Sequence, residues 1–262
     1  MISDPSVYLV GSVAVVCLGL SKGGFIGFGL IATPLLALAV PPLEAAAILL
    51  PIMLAQDLFS AWSFRYDWDS RTLSVMLPGA LFGIALAWLL ASYLNESLVR
   101  LTVGAVGISF AISHWIGLKT NKRNSSSGFF WGVTAGFTGT LANAGGPPFL
   151  VYALSQELAK MTFVGTMAIF FLVLNAAKLI PFFALGQLSS QNLATSILLL
   201  PLAIIANFVA IRLVRRIPSS TFYRVSYGLV LAVSVGLIWQ GITHMEPGHE
   251  LSSGAAFQSV IG

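Results

Sequence analysis

The chain has 262 residues, of which 57% are hydrophobic and only 8% are charged, and its formal net charge is +4. About a quarter of the residues in soluble domains are charged, so this composition excludes an ordinary soluble protein and indicates one that lies in a bilayer. The positive charge does not indicate a nucleic-acid partner, because basic residues in a membrane chain usually mark its cytoplasmic loops. The single cysteine, Cys17, excludes an intramolecular disulfide.

Ten apolar segments follow one another along the chain and leave little room for a soluble domain. Their bounds, set at prolines, glycines and charged clusters, are 5–20, 24–40, 43–64, 72–94, 97–117, 128–142, 146–159, 161–185, 191–213 and 221–242. A polar stretch at 119–127 divides them into two sets of five. We therefore expect a first transmembrane repeat at 1–118, a cytoplasmic linker at 119–127, a second repeat at 128–243 and an extracytoplasmic tail at 244–262.

The two halves share a pattern. A shift of 122 positions places Ser21-Lys22-Gly23-Gly24 on Asn143-Ala144-Gly145-Gly146, and a shift of 123 places Leu77-Pro78 on Leu200-Pro201. Because each repeat has an odd number of segments, the second half is inverted relative to the first, as in many secondary transporters. The sequence predicts an all-α polytopic membrane protein of two inverted repeats, with broken or re-entrant helices at the Gly-Gly motifs.

The distribution of charge agrees with this inverted arrangement. With both termini outside, the inner ends of the segments hold ten of the thirteen basic residues, namely Lys22, Arg65, Arg71, Lys119, Lys122, Arg123, Lys160, Arg212, Arg215 and Arg216. The outer loops then hold Glu44, Glu96, Glu246 and Glu250, which agrees with the positive-inside rule, with Arg100 and Lys178 as the exceptions. The later loops keep the same sides of the membrane if the first two segments form a re-entrant hairpin, and Lys22 then lies at mid-membrane.

Both Gly-Gly motifs lie between short apolar segments, and such paired breaks are the best sequence pointer to a transporter binding site. Exposed helix N-termini bind anions, and glycine permits close backbone approach. We expect backbone donors from Gly23, Gly24, Gly145 and Gly146, and direct contacts from Ser21, Lys22 and Asn143. The alternative is that these glycines serve close helix packing and that Lys22 is a snorkelling loop residue.

Charged residues inside a spanning helix are expensive and indicate function by default. Gln56 and Asp57 lie in the third segment, and the repeat places Gln56 on Lys178, with Asn175 one turn before it. One interpretation makes these four residues a polar lining, with Asp57 or Lys178 carrying a proton during the cycle. The other is a buried Asp57–Lys178 ion pair that holds the halves together.

The two copies of the motif resemble a known family. The stretches 21–36 and 44–52, from Ser21-Lys-Gly-Gly and from Glu44-Ala-Ala-Ala, are similar to the first half of the TauE/SafE sulfite exporter family, and 139–148, 165–171 and Asn175-Ala-Ala-Lys178 are similar to its second half. The resemblance runs from about Val13 to Arg216. It implies a duplicated helical transporter of the bacterial inner membrane that moves sulfite or organosulfonates, mostly outward. Lys22 departs from the plainer Gly-rich run of many members.

These observations predict a secondary transporter that exports a small sulfur-containing anion by alternating access. The expected substrate-binding residues are Ser21, Lys22, Gly23, Gly24, Gln56, Asn143, Gly145, Gly146, Pro147 and Asn175, and Asp57 and Lys178 are the expected coupling or gating residues.

We expect no cofactor, no metal and no enzymatic activity, since no catalytic or metal-binding motif occurs. The expected partners are the anion and the lipid bilayer, not nucleic acid, and the sequence is compatible with a homo-oligomer. One alternative is an uptake carrier or channel for another solute, with Asp57 as its key residue. The other is an intramembrane enzyme or an assembly subunit.

Overall fold

The structure, a computed structural model, describes residues 5–90, 101, 105, 108, 125–141, 143–184 and 186–243. These residues form helices without strands, so the all-α class is confirmed. The helices are α1 (Pro5–Ser21), α2 (Ile26–Leu36), α3 (Pro42–Ser63), α4 (Ser70–Leu90), α5 (Ser125–Leu141), α6 (Gly146–Ser155), α7 (Lys160–Ala184), α8 (Ser190–Arg216) and α9 (Ser219–Thr243). Most of the predicted fifth segment and of the linker, and the whole tail, lie outside the described residues.

Local chemistry accounts for where several helices begin. Helix α3 has Pro42 in its first turn, where a missing N–H costs nothing, and Glu44 beside it complements the helix dipole. The Ser189 hydroxyl caps α8 by accepting from the N–H of Asn192. Helix α5 begins at Ser125, so the last three residues of the predicted linker are helical.

Helix length separates spanning helices from short ones. Among the residues that the structure describes, four helices are long and apolar enough to cross a membrane, and they contain Glu44–Ser63, Ser70–Leu90, Lys160–Ala184 and Ser190–Arg216. Helix α2 has 11 residues and α6 has 10, which gives each a length of about 15 Å, half the hydrocarbon thickness. The two helices that follow the Gly-Gly motifs are thus too short to span.

Side-chain bonds gather several helix ends at one end of the bundle. The Arg215 guanidinium donates to the Ser63 carbonyl at 3.1 Å and joins the end of α8 to the end of α3. The Lys160 ammonium donates to the Ile217 carbonyl and joins the start of α7 to the end of α8. We call this end, which carries Arg65, Arg71, Lys160, Arg215 and Arg216, the basic end.

Helices α4 and α5 run side by side in the same direction with their backbones in contact. A Cβ added at Gly132 would overlap the carbonyl of Met76, and one at Gly136 would overlap the carbonyl of Ala80. Residue numbers rise together on the two helices, so the pair is parallel. Close approach through small residues four apart is typical of membrane helices.

Helices α1 and α8 form a second parallel pair, in which Gly19 lies against Ala206 and Gly23 against Ala210. Helix α8 ends at the basic end, whereas α4 begins there. Consequently α1 and α5, the first helices of the two halves, run in opposite directions. An inverted repeat requires this relation, and the repeat itself stays a prediction.

The directions of the helices place two hairpins between the long helices. The α1–α2 hairpin opens at the end of the bundle opposite the basic end, and the α5–α6 hairpin opens at the basic end. The two hairpins meet inside the bundle, where the Asn143 side-chain amide at the tip of the second hairpin donates to the Thr33 hydroxyl in the last turn of α2 at 2.7 Å. Residues of both motifs, Ser21 and Lys22 of the first and Gly145 and Gly146 of the second, line one cavity.

Candidate functional site

The first Gly-Gly motif is a tight turn at the end of α1. The N–H groups of Lys22, Gly23 and Gly24 donate to carbonyls of residues 18 to 21. Gly24 has φ +96°, a conformation that a side chain would strain. A Cβ on Gly23 would lie 2.9 Å from the carbonyl oxygen of Ala210, and one on Gly24 would lie 2.6 Å from the Phe222 ring.

The expectation that Gly23 and Gly24 supply backbone donors to an anion is therefore not met. Their N–H groups are used within the turn, and both residues pack against neighbouring helices. The packing interpretation accounts for these two glycines. Helix α2 begins only at Ile26, and it reaches the site through Gly29, Leu30 and Thr33 instead of through its N-terminus.

The second motif differs from the first. Asn143 is left-handed, with φ 51°, which asparagine tolerates better than most residues. Ala144 is held to Thr138 by two hydrogen bonds, both of 3.1 Å. Helix α6 then starts with Gly146, Pro147 and Pro148, and proline has no N–H, so the predicted helix-terminus donors reduce to Gly145 and Gly146. Pro147 cannot donate.

A cavity of about 70 Å³ lies between the hairpin tips, which is room for several water molecules or a small anion. Seven of the twelve predicted site residues line it: Ser21, Lys22, Asn143, Gly145, Gly146, Asn175 and Lys178. Gly23, Gly24, Gln56, Asp57 and Pro147 are not among its lining residues. The lining residues that the sequence did not predict are Leu18, Gly29, Leu30, Thr33, Met53, Gly139, Met167, Phe171 and Leu174.

Asp57 forms the centre of a buried polar cluster beside this cavity. Its side chain is fully buried, and its Oδ1 accepts from the Lys22 ammonium at 2.6 Å. Its Oδ2 accepts from the Asn175 amide at 2.7 Å, which joins α3 of the first half to α7 of the second. The predicted Asp57–Lys178 ion pair is therefore wrong in its partner, since the carboxylate pairs with Lys22.

Lys178 is the second buried cation of the site, with 4% exposure. Its ammonium donates to the Asn143 side-chain oxygen at 3.2 Å, and Asn143 in turn donates to Thr33. Among the described residues no carboxylate lies within ion-pair distance of Lys178. Lys178 thus brings to the wall of the cavity a buried amine that has no ion-pair partner among the described residues.

Gln56 joins two long helices and does not face the cavity. Its amide nitrogen donates to the Ala203 carbonyl at 2.9 Å, and its backbone carbonyl accepts from Asn207 at 2.8 Å. Ser60, one turn further along α3, also bonds Asn207. Gln56 is therefore part of the contact between α3 and α8.

The unpredicted part of the lining is mostly apolar. Met53, Met167 and Phe171 line the cavity together with the two lysines, and the Lys22 ammonium lies 5.9 Å from the centroid of the Phe171 ring. Apolar residues are so common in this chain that none of them stands out in the sequence. Within the described part of the chain, no cluster of His, Cys, Asp and Glu could hold a metal ion.

A family model described as "Sulfite exporter TauE/SafE" matches residues 12–237, which is most of the chain. No curated protein and no solved structure matches the chain.

Proposed function

Since the chain belongs to the TauE/SafE sulfite exporter family of membrane transporters, we propose that it exports a small sulfur-containing anion, sulfite or an organosulfonate. It is a multi-pass membrane protein, and we place it in the bacterial inner membrane. The proposed binding site is the cavity between the hairpin tips. In this site Lys22, Lys178, Ser21, Asn143 and Asn175 surround the anion.

One observation carries this proposal. Lys178 is buried at the cavity wall with only a neutral amide as its polar partner. A desolvated cation without a counter-charge is costly, and intramembrane cations that persist are usually paired or face a substrate path. An anion in the cavity would supply the missing charge, and the N–H groups of Gly145 and Gly146 would add backbone donors.

The uptake carrier or channel with Asp57 as the key residue has less support. Both carboxylate oxygens of Asp57 are occupied, and the residue is not among the cavity lining. A solute in the cavity would meet Lys22 or Asn175 before it met Asp57. The arrangement favours an anion over a cation.

The same arrangement supports the proposal of transport by alternating access. The two hairpins enter from opposite ends, and two hydrogen bonds at the cavity cross between the halves, Asn143 to Thr33 and Asn175 to Asp57. Rocking of one inverted repeat against the other would break and remake these bonds and open the cavity to each side in turn. The positive-inside rule would place the basic end, where both halves carry arginine or lysine, in the cytoplasm and both termini outside.

The test is transport by the purified protein in liposomes. We expect exchange of labelled sulfite against internal sulfite or a small organosulfonate, no exchange of chloride, and loss of sulfite exchange in Lys178→Gln. Arg71→Gln is the matched control, because it removes one positive charge at an exposed position outside the cavity. A Lys178→Gln protein that exchanges sulfite as well as the wild type would refute the proposed site.

A further inference from the structure

The formal charge of the site can be counted from its buried side chains. Among the described residues, only three side chains of Asp, Glu, Lys and Arg are buried: Lys22 at 7% exposure, Asp57 at 0% and Lys178 at 4%. All three belong to the site, and their formal charges sum to one positive charge. Because an unbalanced charge is costly in a poorly hydrated site, the net charge of this group favours ions that neutralise it.

We propose that Asp57 sets the valence of the transported anion: by neutralising Lys22 it leaves one net positive charge at the cavity, which matches a monoanion better than a dianion. This inference rests on the proposed anion-transport function. Asp57 does not touch the substrate and acts through Lys22, so it is a positioning residue.

The two lysines of the site, Lys22 and Lys178, have different polar partners. Lys22 is held at 2.6 Å by Asp57, in a pair with almost no exposure to water. Lys178 has only the neutral Asn143 oxygen at 3.2 Å. A monoanion beside Lys178 makes the site neutral, whereas a dianion leaves it with an unbalanced negative charge in a poorly hydrated cavity, which is costly.

Removal of the carboxylate should change this preference. In Asp57→Asn the site has two positive charges, so a dianion becomes the neutral match. In Lys22→Gln the site has no net charge, so the monoanion loses its attraction. In the double variant Lys22→Gln/Asp57→Asn one positive charge remains, that of Lys178, and the original preference should return.

Methanesulfonate and sulfate are suitable probes. Both are tetrahedral sulfur oxyanions of similar size, and near neutral pH the first carries one negative charge and the second carries two. The experiment measures the dissociation constant of each probe for the purified protein. The readout is the ratio of the two constants, which a loss of stability alone would not reverse.

We expect the wild type to prefer methanesulfonate and Asp57→Asn to shift the ratio toward sulfate by at least about tenfold. Lys22→Gln should lose methanesulfonate binding, and the double variant should regain the wild-type ratio, with weaker binding of both probes because the Lys22 contact is missing. Arg71→Gln, which changes the net charge away from the site, should leave the ratio unchanged.

The experiment distinguishes a failure of the proposed anion site from a failure of the proposed role of Asp57. If the wild type binds neither probe and no sulfite, the proposed anion site itself is wrong. If the wild type binds methanesulfonate but Asp57→Asn keeps the wild-type ratio, the role of Asp57 is refuted. If Asp57→Asn does not fold, the comparison of Lys22→Gln with the double variant decides, because a double variant that binds methanesulfonate no better than Lys22→Gln would refute the role of charge balance.

Discussion

The buried Lys22–Asp57 ion pair predicts that removing one partner lowers the stability of the protein strongly. Each partner is buried, and the carboxylate has two bonds, to Lys22 at 2.6 Å and to Asn175 at 2.7 Å. Breaking a buried ion pair by removing one partner typically costs about 3–5 kcal/mol, because the other charge stays buried and unpaired. Removing both charges together leaves only neutral groups with lost hydrogen bonds, at about 1–3 kcal/mol.

The single variants Lys22→Gln and Asp57→Asn should therefore each destabilise the protein more than the double variant does. A chain of this size changes its midpoint by about 2–4 °C per kcal/mol, so each single change should lower the unfolding temperature by about 6–20 °C. The double variant should recover much of that loss. The coupling between the two residues is then on the order of 3 kcal/mol or more.

The assay is thermal unfolding of detergent-purified protein followed by tryptophan fluorescence. Unfolding of membrane proteins is often irreversible, so all variants are compared at one heating rate. Arg71→Gln serves as the control and should stay within about 0.5 kcal/mol of the wild type. Losses that simply add in the double variant would show that Lys22 and Asp57 do not interact, and would refute the ion pair.

Two further predictions concern packing and topology. Gly136→Ala should destabilise the protein, because its Cβ would overlap the carbonyl of Ala80. Gly228→Ala, whose Cβ meets nothing within 4 Å, should be neutral or stabilise α9 by up to about 1 kcal/mol. Thermal unfolding checks both, and equal unfolding midpoints for the two variants would contradict the close α4–α5 contact. In a Cys17→Ser background, Tyr66→Cys at the basic end should react with an impermeant thiol reagent from the cytoplasmic side and Leu38→Cys, between α2 and α3, from the outside. Both positions are exposed, and labelling of both from one side would contradict the proposed orientation.

The sequence predicted the helices well and their short breaks least well. Hydropathy and proline or glycine positions located nine helices that the structure describes, because a bilayer permits few other ways to satisfy backbone groups. The predicted segment 24–40 is helical only from Ile26 to Leu36, since Lys22 to Gly24 close a turn and 37–40 form another. Such turns depend on which neighbour packs against them, here Ala210 and Phe222, and hydropathy contains no information on that contact.

The sequence also assembled most of the polar site but paired its charges wrongly. The rule that intramembrane charges are functional selected Asp57 and Lys178, and the duplicated motif selected Lys22 and Asn143. One of the two interpretations that the sequence left open then paired Asp57 with Lys178. The actual pair, Lys22 and Asp57, is set by how the first break folds back onto α3, a distance that only the packed structure defines.

Because Lys22 pairs with Asp57, the two halves of the chain contribute groups of different net charge to the site. At repeat-related positions, Lys22 corresponds to Ala144 and Asp57 to Leu179, while Lys178 corresponds to Gln56. The first half therefore contributes an ion pair with no net charge, and the second half contributes the single unbalanced cation. If the halves rock against each other, the anion that neutralises Lys178 should stay with the second half, while the contacts from Lys22 and Thr33 are made or lost on each stroke. On the proposed function, this asymmetry of charge would let the second half hold the anion and the first half close over it.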